Sequence, residues 1–364
     1  MKSTTEQVWQ FEWMEAWDAI WDDGFVTEWL SWLESDLHAH VFFHPVLVRA
    51  WVESYDNLTT LQPRFLLARR GSETVFWPLV LIKQGWKGCW QRLLTPVGAN
   101  EFDYHDPLVV SPGRAATETA FFQAFQGWLA GGKAKGFDRL YLPHLRILSP
   151  LAASSSVVNV APYLDLEGLD NLEGLLSTLG KRQRGEIRRN LRRLDEAEKS
   201  CLQVYEADEV DEVLDFLPEL LARHAQKWPN SYKAPDFHAN LIRHGLPAGV
   251  VHVSVLRVGH IPVGWHIGFI FKQRFYWYLP VYDFNFAKLS PGRVHLVKVM
   301  EAFMANGGKI FDFLVGDEPY KKGWTSTQTL LRSQMLVMPG VGSRVRVQGA
   351  QRVRRVAGVI ARYR

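Results

Sequence analysis

Two stretches of this chain gather the side chains that group-transfer chemistry needs. One is the segment V-G-D-E-P-Y-K-K-G-W at 315–324, which holds Asp317, Glu318, Tyr320, Lys321 and Lys322. A carboxylate, a phenol and ammonium groups in so short a segment can move a proton, steady a developing oxyanion or hold a phosphate. The other is the turn at 288–294, with Lys288, Ser290, Pro291, Gly292, Arg293 and Val294. Proline there suits the first turn of a helix, whose unpaired N–H groups and partial positive charge attract a pyrophosphate. Gly292 lets a ligand approach the backbone, and Lys288 and Arg293 add charge. Tyr278, Tyr282 and His266 lie on strand-like segments upstream and form a second rank of candidates.

The elements around these stretches follow from their patterns. A two-faced helix opens at Pro291 and is stopped by Asn306-Gly307-Gly308. The apolar run Ile310, Phe311, Phe313, Leu314 reads as an interior strand that empties into the charged loop, which is where α/β proteins place ligands. Asp312, inside that strand, reads as structural. Strands are expected at 250–258, 261–271 and 275–282, after helices at 210–227 and 236–245. The first half follows the same order: helices within 24–55, strands at 64–70, 74–83 and 90–96, a helix at 114–129 and strands at 137–143 and 157–166. A last strand, near 328–338, closes the second half. The repeat is one of architecture, because residue identities barely match. Each half is an α/β (α+β) layer unit.

Other chemistries lack their motifs. The histidines are scattered, His38 and His40 have neither zinc-site spacing nor carboxylate neighbours, and no metal is expected. No G-x-S-x-G elbow, Walker A loop or dinucleotide fingerprint occurs, and Gly264 to Gly268 fall inside a strand pattern. The 364 residues are 47% hydrophobic and 22% charged, enough for two domains with real cores. The two cysteines, Cys89 and Cys201, match no metal or redox spacing and read as reduced thiols. No basic-then-apolar leader is read at the start, and no apolar run approaches the roughly 18 residues of a membrane helix. The expectation is a cytoplasmic protein, at most peripheral to the inner membrane.

Three further features call for partners or packing. In residues 1–24, Trp9, Trp13, Trp17 and Trp21 recur every four positions beside acidic residues, which reads as an amphipathic helix packed on its own chain or, less simply, docked on a partner. Between the halves, the helix at 181–194 carries Arg182, Arg184, Arg188, Arg189, Arg192 and Arg193 around a narrow stripe of Ile187, Leu191 and Leu194. It is either a solvated face or a contact for an anionic partner. The net charge of +4 is small, so this clustering matters more than the total. The tail at 341–364 is basic and partly amphipathic, suited to a membrane surface or simply to fraying. The expected division is therefore a Trp-rich helix at 1–24, domains at 25–168 and 201–340, a basic linker helix at 169–200 and the tail.

The segments F-F-H-P-V-L-V-R-A-W at 42–51, K-R-Q-R-G-E-I-R-R, L-S-P-G-R and above all F-D-F-L-V-G-D-E-P-Y-K-K-G-W resemble the acetyltransferase family linked to cellulose and exopolysaccharide biosynthesis. That family belongs to the GNAT superfamily and is related to the Fem-type peptidyltransferases. The resemblance spans roughly 24–338 and implies tandem GNAT-like domains, each a mixed, mostly antiparallel sheet flanked by helices. It implies acyl transfer from acetyl-CoA or another acyl-CoA to an amine or hydroxyl of a small-molecule or glycan acceptor, such as a sugar or lipid-linked sugar of envelope biosynthesis. The usual GNAT pyrophosphate signature is not matched at 288–294. On this reading Asp317 is the base or orients the acceptor, Tyr320 is the acid or an oxyanion donor, and Lys321 contacts phosphate or oxyanion. Tyr282 and His266 stand behind them. The same residues admit a structural reading, with Asp317 capping its loop and Lys321 paired to Asp317 or Glu318. Two other functions remain open. One is a Fem-type transferase using aminoacyl-tRNA, with the 181–194 helix on the RNA, though nucleic acid is the less favoured partner. The other is a scaffold without catalysis.

Overall fold

The computed structural model describes residues 8–55, 61–86, 89–131, 136–146, 156–169, 171–197, 199–229, 234 and 236–360. The chain divides into two compact units, one formed by residues 1–158 and 331–364 and the other by residues 159–330. Both contain mixed, mostly antiparallel sheet flanked by helices.

In the first unit the tryptophan series is not one helix. Gln10–Met14 is a strand paired antiparallel with Phe65–Arg70, and only Trp17–Ile20 is helical. A spacing of four is even, so it satisfies the alternation of a strand as well as one face of a helix. Phe11 and Trp13 alternate with exposed Glu12 and pack on the core, while Trp9 is buried. The Phe11 and Trp128 rings stack with centroids 4.8 Å apart. The run expected as one strand at 74–83 is two, Glu73–Trp77 and Leu79–Trp86, in different sheets. Pro78 separates them because it has no N–H to give to a ladder. Four strands, Gln10–Met14, Phe65–Arg70, Glu73–Trp77 and Leu108–Val110, form one sheet in that order. The other runs Gln328–Val337, Arg139–Leu145, Cys89–Pro96, Leu79–Trp86, Leu61–Pro63, parallel only between Arg139–Leu145 and Cys89–Pro96. Helix Arg114–Ala130 covers this core with Phe121, Phe122, Phe125 and Leu129.

The basic tail also belongs to this unit. Val341–Ile360 is helical, and Asp138, fully buried, accepts from Ser343 Oγ at 3.0 Å and Arg346 Nη2 at 2.6 Å. The tail therefore starts as an anchored helix rather than a frayed end. Its side chains after residue 352 lie outside the described residues.

The second unit has one sheet in the order Ser200–Tyr205, Val251–Val258, Ile261–Phe271, Arg274–Tyr282, Ile310–Asp312, Ser156–Asp165. Only the Arg274–Tyr282 and Ile310–Asp312 pair is parallel. The strand read as closing the first half thus pairs in the second, with Leu164 opposite Phe311. Conversely, the strand read as closing the second half joins the first, with Leu336 opposite Leu140. Alternating apolar residues license a strand but do not say which edge it completes. Residues 169–200, expected as a linker, are also part of this unit. Asn171 caps the helix Leu172–Ser177, and helix Lys181–Ala197 buries Ile187 and Leu194. Helix Pro291–Ala305 lies in the core, with Leu296, Val297, Met300 and Phe303 packed on Phe275, Trp277 and Phe311. No helix among the described residues is long and apolar enough to cross a membrane.

Candidate active site

The second unit holds a cavity of about 780 Å³, and a local parting of two strands makes it. Arg274–Tyr282 and Ile310–Asp312 pair in parallel only as far as Tyr276 and Asp312. Asp312 closes that pairing through an ion pair with Arg274 at 2.9 Å. Beyond it Leu314 takes a positive φ of 60° and turns the chain away, while the other strand continues to Tyr282. Trp277, Pro280 and Tyr282 line one side of the opening, and Pro319, Tyr320, Gly323 and Trp324 line the other. The start of helix Pro291–Ala305 and the first turns of helix Lys181–Ala197 complete it. The volume lies within the usual range for small-molecule sites, and the lining mixes four aromatic rings with charged and polar side chains and exposed backbone at glycines.

The helix start at Ser290 is built for approach. Ser290 sits in the left-handed region at φ 56°, its carbonyl accepts from Arg293 N at 3.1 Å and Val294 N at 3.2 Å, and Pro291 occupies the first turn. Gly292 N–H makes no hydrogen bond among the described residues. A Cβ on Gly292 would lie 3.2 Å from Tyr282 Cδ1, so glycine is what lets the Tyr282 ring close on the helix. The free N–H and the helix dipole give this end of the cavity a positive potential.

Tyr320 is the ionisable group at the opposite wall. The residue is 42% exposed as a whole, and its hydroxyl end lies near the Trp277 indole. Desolvation, seconded by the nearby Glu318 charge, pushes its pKa above the ordinary phenol value, and the neighbouring Trp277 indole only partly offsets this. Tyr320 is therefore a neutral donor throughout the physiological range.

The expected site residues divide sharply. Tyr282, Ser290, Gly292, Arg293 and Tyr320 come together on the cavity. Lys321 does not: it is 3% exposed, its Nζ donates to the carbonyls of Leu314 at 3.3 Å and Val315 at 2.9 Å, and it pairs with Glu318 at 2.8 Å. It locks the loop from within. Asp317 points to solvent and pairs with Lys322 at 2.8 Å. Lys288 is exposed and Val294 is buried in a core cluster; neither lines the cavity. His266 is fully buried, stacked on Trp277 with centroids 3.8 Å apart, so the indole stands between its ring and the cavity wall. Burial holds its pKa well below the usual imidazole value.

The cavity also uses residues that the sequence reading passed over. Trp277 falls in the strand expected at 275–282 without being singled out, and Gly180, Gln183 and Lys227 belong to stretches read as linker or as plain helix. Only the tertiary fold brings such separated positions together. Glu186 is the one carboxylate lining the cavity among the described residues. It pairs with Arg293 at 3.0 Å and Arg182 at 3.2 Å, and the two bonds, Arg293 first, hold its pKa below the ordinary carboxylate value. It is a poor proton acceptor at neutral pH. No grouping of His, Cys, Asp and Glu among the described residues suits a metal ion.

Residues 181–322, which contain the whole lining except Gly180, Gly323 and Trp324, match the family model described as Acetyltransferase (GNAT) domain. No curated protein sequence matches the chain. Solved structures do. The crystal structure of FemX is similar at TM-score 0.60 and 9% identity, covering 90% of this chain and 97% of that one. A conserved protein of unknown function from Bacteroides thetaiotaomicron is similar at TM-score 0.50 and 12% identity, covering 91% and 100%. A tandem GNAT protein from the clavulanic acid biosynthesis pathway is 13% identical, with a TM-score of 0.47 and coverage of 91% and 99%. The chain thus shares the fold of FemX, and the segment similar to a GNAT acetyltransferase domain lies within the second unit.

Proposed function

We propose that the chain is an acyl-CoA-dependent acyltransferase whose chemistry runs in the cavity of the second unit. The observation that carries this reading is the convergence, inside the segment matching a GNAT domain, of an open helix start and the Tyr320 side chain on the lining of one cavity. In this reading the diphosphate of the donor meets Gly292 N–H and Arg293, and the pantetheine arm runs between the parted strands toward Tyr320. The acceptor nitrogen or oxygen attacks the thioester carbonyl, the C–S bond breaks, and the acceptor's proton ends on the coenzyme thiol. Tyr320, neutral at working pH, donates a hydrogen bond to the charge that develops on the way. The half-buried Tyr282 ring on the cavity wall suits packing against a sugar ring. That is in keeping with an acetyl donor and a sugar, lipid-linked sugar or amine of envelope or exopolysaccharide biosynthesis as acceptor.

The direct test is thiol release from acetyl-CoA across a panel of amino sugars, glycans and simple amines. Turnover with any of them that falls at least tenfold in Tyr320→Phe supports the reading. Turnover unaffected by Tyr320→Phe removes this site from the mechanism.

A second reading, a Fem-type aminoacyl-tRNA-dependent transferase, draws on the similarity to FemX and on the exposed arginines of helix Lys181–Ala197. Arg188 pairs with Glu173 at 2.5 Å and Arg192 with Glu196 at 3.4 Å, while exposed Arg189 and Arg193 have no acidic partner among the described residues. An anionic partner would meet the latter two first. RNA retention that weakens steeply with salt and is lost in an Arg189→Glu, Arg193→Glu double variant favours this reading, and indifference to both sinks it. Contact of the basic tail with anionic membrane is a separate proposal, checked by vesicle sedimentation with and without residues 341–364.

A further inference from the structure

Glu186 stands where a ligand's negative charge belongs. It projects from helix Lys181–Ala197, with Oε2 3.0 Å from Arg293 Nη1 and Oε1 3.2 Å from Arg182 Nε. Arg293 lies in the first turn of helix Pro291–Ala305, next to the Gly292 N–H that has no acceptor. All four residues line the cavity. The chain has thus placed its own carboxylate beside the most positive corner of the pocket.

The geometry points to Glu186 as an internal competitor for the anionic part of the donor: it engages Arg293 and Arg182 in the free protein, and the donor's diphosphate displaces it. This rests on the acyl-CoA reading. A diphosphate and an unneutralised carboxylate cannot share one arginine and one helix start without strong repulsion. The exchange is easy. The pair is partly exposed, at 40% for Arg293 and 30% for Glu186, and Arg182 is 94% exposed, so little is lost when the bonds open. Glu186 and Arg293 also belong to different helices, so the carboxylate can swing away while the arginine stays with the ligand. A guanidinium fork matches a phosphate at least as well as a carboxylate. The device sets donor affinity, and it keeps the arginines oriented toward the cavity when it is empty of donor.

Calorimetry with three probes tests this in the full chain: CoA, inorganic pyrophosphate and S-acetylpantetheine, which lacks the phosphates. Glu186→Gln is close in shape and lies at the surface, and an unchanged melting temperature confirms its fold. It should bind CoA and pyrophosphate about 3- to 10-fold more tightly than the wild type, with no change for S-acetylpantetheine. Arg293→Gln should remove that gain in the double variant. Equal or weaker CoA binding by Glu186→Gln overturns the inference, as does equal tightening for all three probes. If the wild type binds CoA and Glu186→Gln binds no better, only the role of Glu186 falls. If neither binds CoA at millimolar concentration, the acyl-CoA reading falls with it.

Discussion

At the scale of single residues, the loop 315–324 separates into parts that face the cavity and parts that hold the loop. Tyr320 is the ionisable residue of the cavity-facing part, beside Pro319, Gly323 and Trp324. Tyr320→Phe is expected to lower kcat by about 10- to 100-fold while leaving the CoA Kd within about threefold, because the hydroxyl is needed for charge that develops in the reaction. Lys321 and Asp317 test the other half of the division. Asp317 and Lys322 are both 63% exposed, and such a pair contributes about 0–1 kcal/mol. Asp317→Asn should therefore change turnover by no more than about twofold. Lys321 is buried against two carbonyls and Glu318, so Lys321→Met leaves those acceptors and a carboxylate without their cation. A loss of roughly 2–4 kcal/mol in urea unfolding is expected. A large kinetic defect in Asp317→Asn, or none in Tyr320→Phe, would reverse these assignments.

At the scale of elements, the site depends on how far two strands stay paired. Gly316 follows the turn at Leu314, has φ 130°, and a Cβ there would come within 2.3 Å of the Glu318 carboxylate. Gly316→Ala should cost about 1–3 kcal/mol of stability and misplace Tyr320, seen as an altered melting curve together with a raised KM. The sequence carried much of this level. Helix Val210–Lys227 and strand Ile261–Phe271 have the bounds that periodicity and turn residues assign, and Pro291 opens its helix as read. The failures have physical causes. Trp9 to Trp21 fit two periods at once, Pro78 divides one apolar run between two sheets, and the exchange of strands Ser156–Asp165 and Gln328–Val337 between units depends on pairing partners remote in sequence. The site was half visible for the same reason. Residues next to an unusual backbone, such as Ser290 and Gly292, announce themselves locally, whereas Trp277 and Gln183 become lining only because the strands part beside them.

At the scale of the whole molecule, buried histidines set the acid limit. Burial lowers His40 and His105 in the first unit and His238 and His295 in the second to about 3. Each binds a proton near pH 6.5 once unfolded but not while folded. Their contribution to stability is therefore complete above about pH 7 and is lost progressively as pH falls from 6.5 toward 3. Glu118 has the opposite sign. Burial raises it to about 7, so its contribution is fully present below pH 4.5 and fades as pH rises through 7. Urea unfolding should show stability falling on acidification from pH 6.5, with proton uptake on unfolding at pH 5; a flat profile between pH 7 and 4 contradicts the burial of these rings. The central claim is that the cavity in residues 159–330 receives an acyl-CoA. Calorimetric titration of acetyl-CoA into the wild-type chain and into a cavity-filling Gly323→Trp variant tests it most directly. The account predicts saturable one-to-one binding by the wild type that is lost in a still-folded Gly323→Trp. Binding that survives the filled cavity, or no heat from the wild type at millimolar ligand, contradicts it.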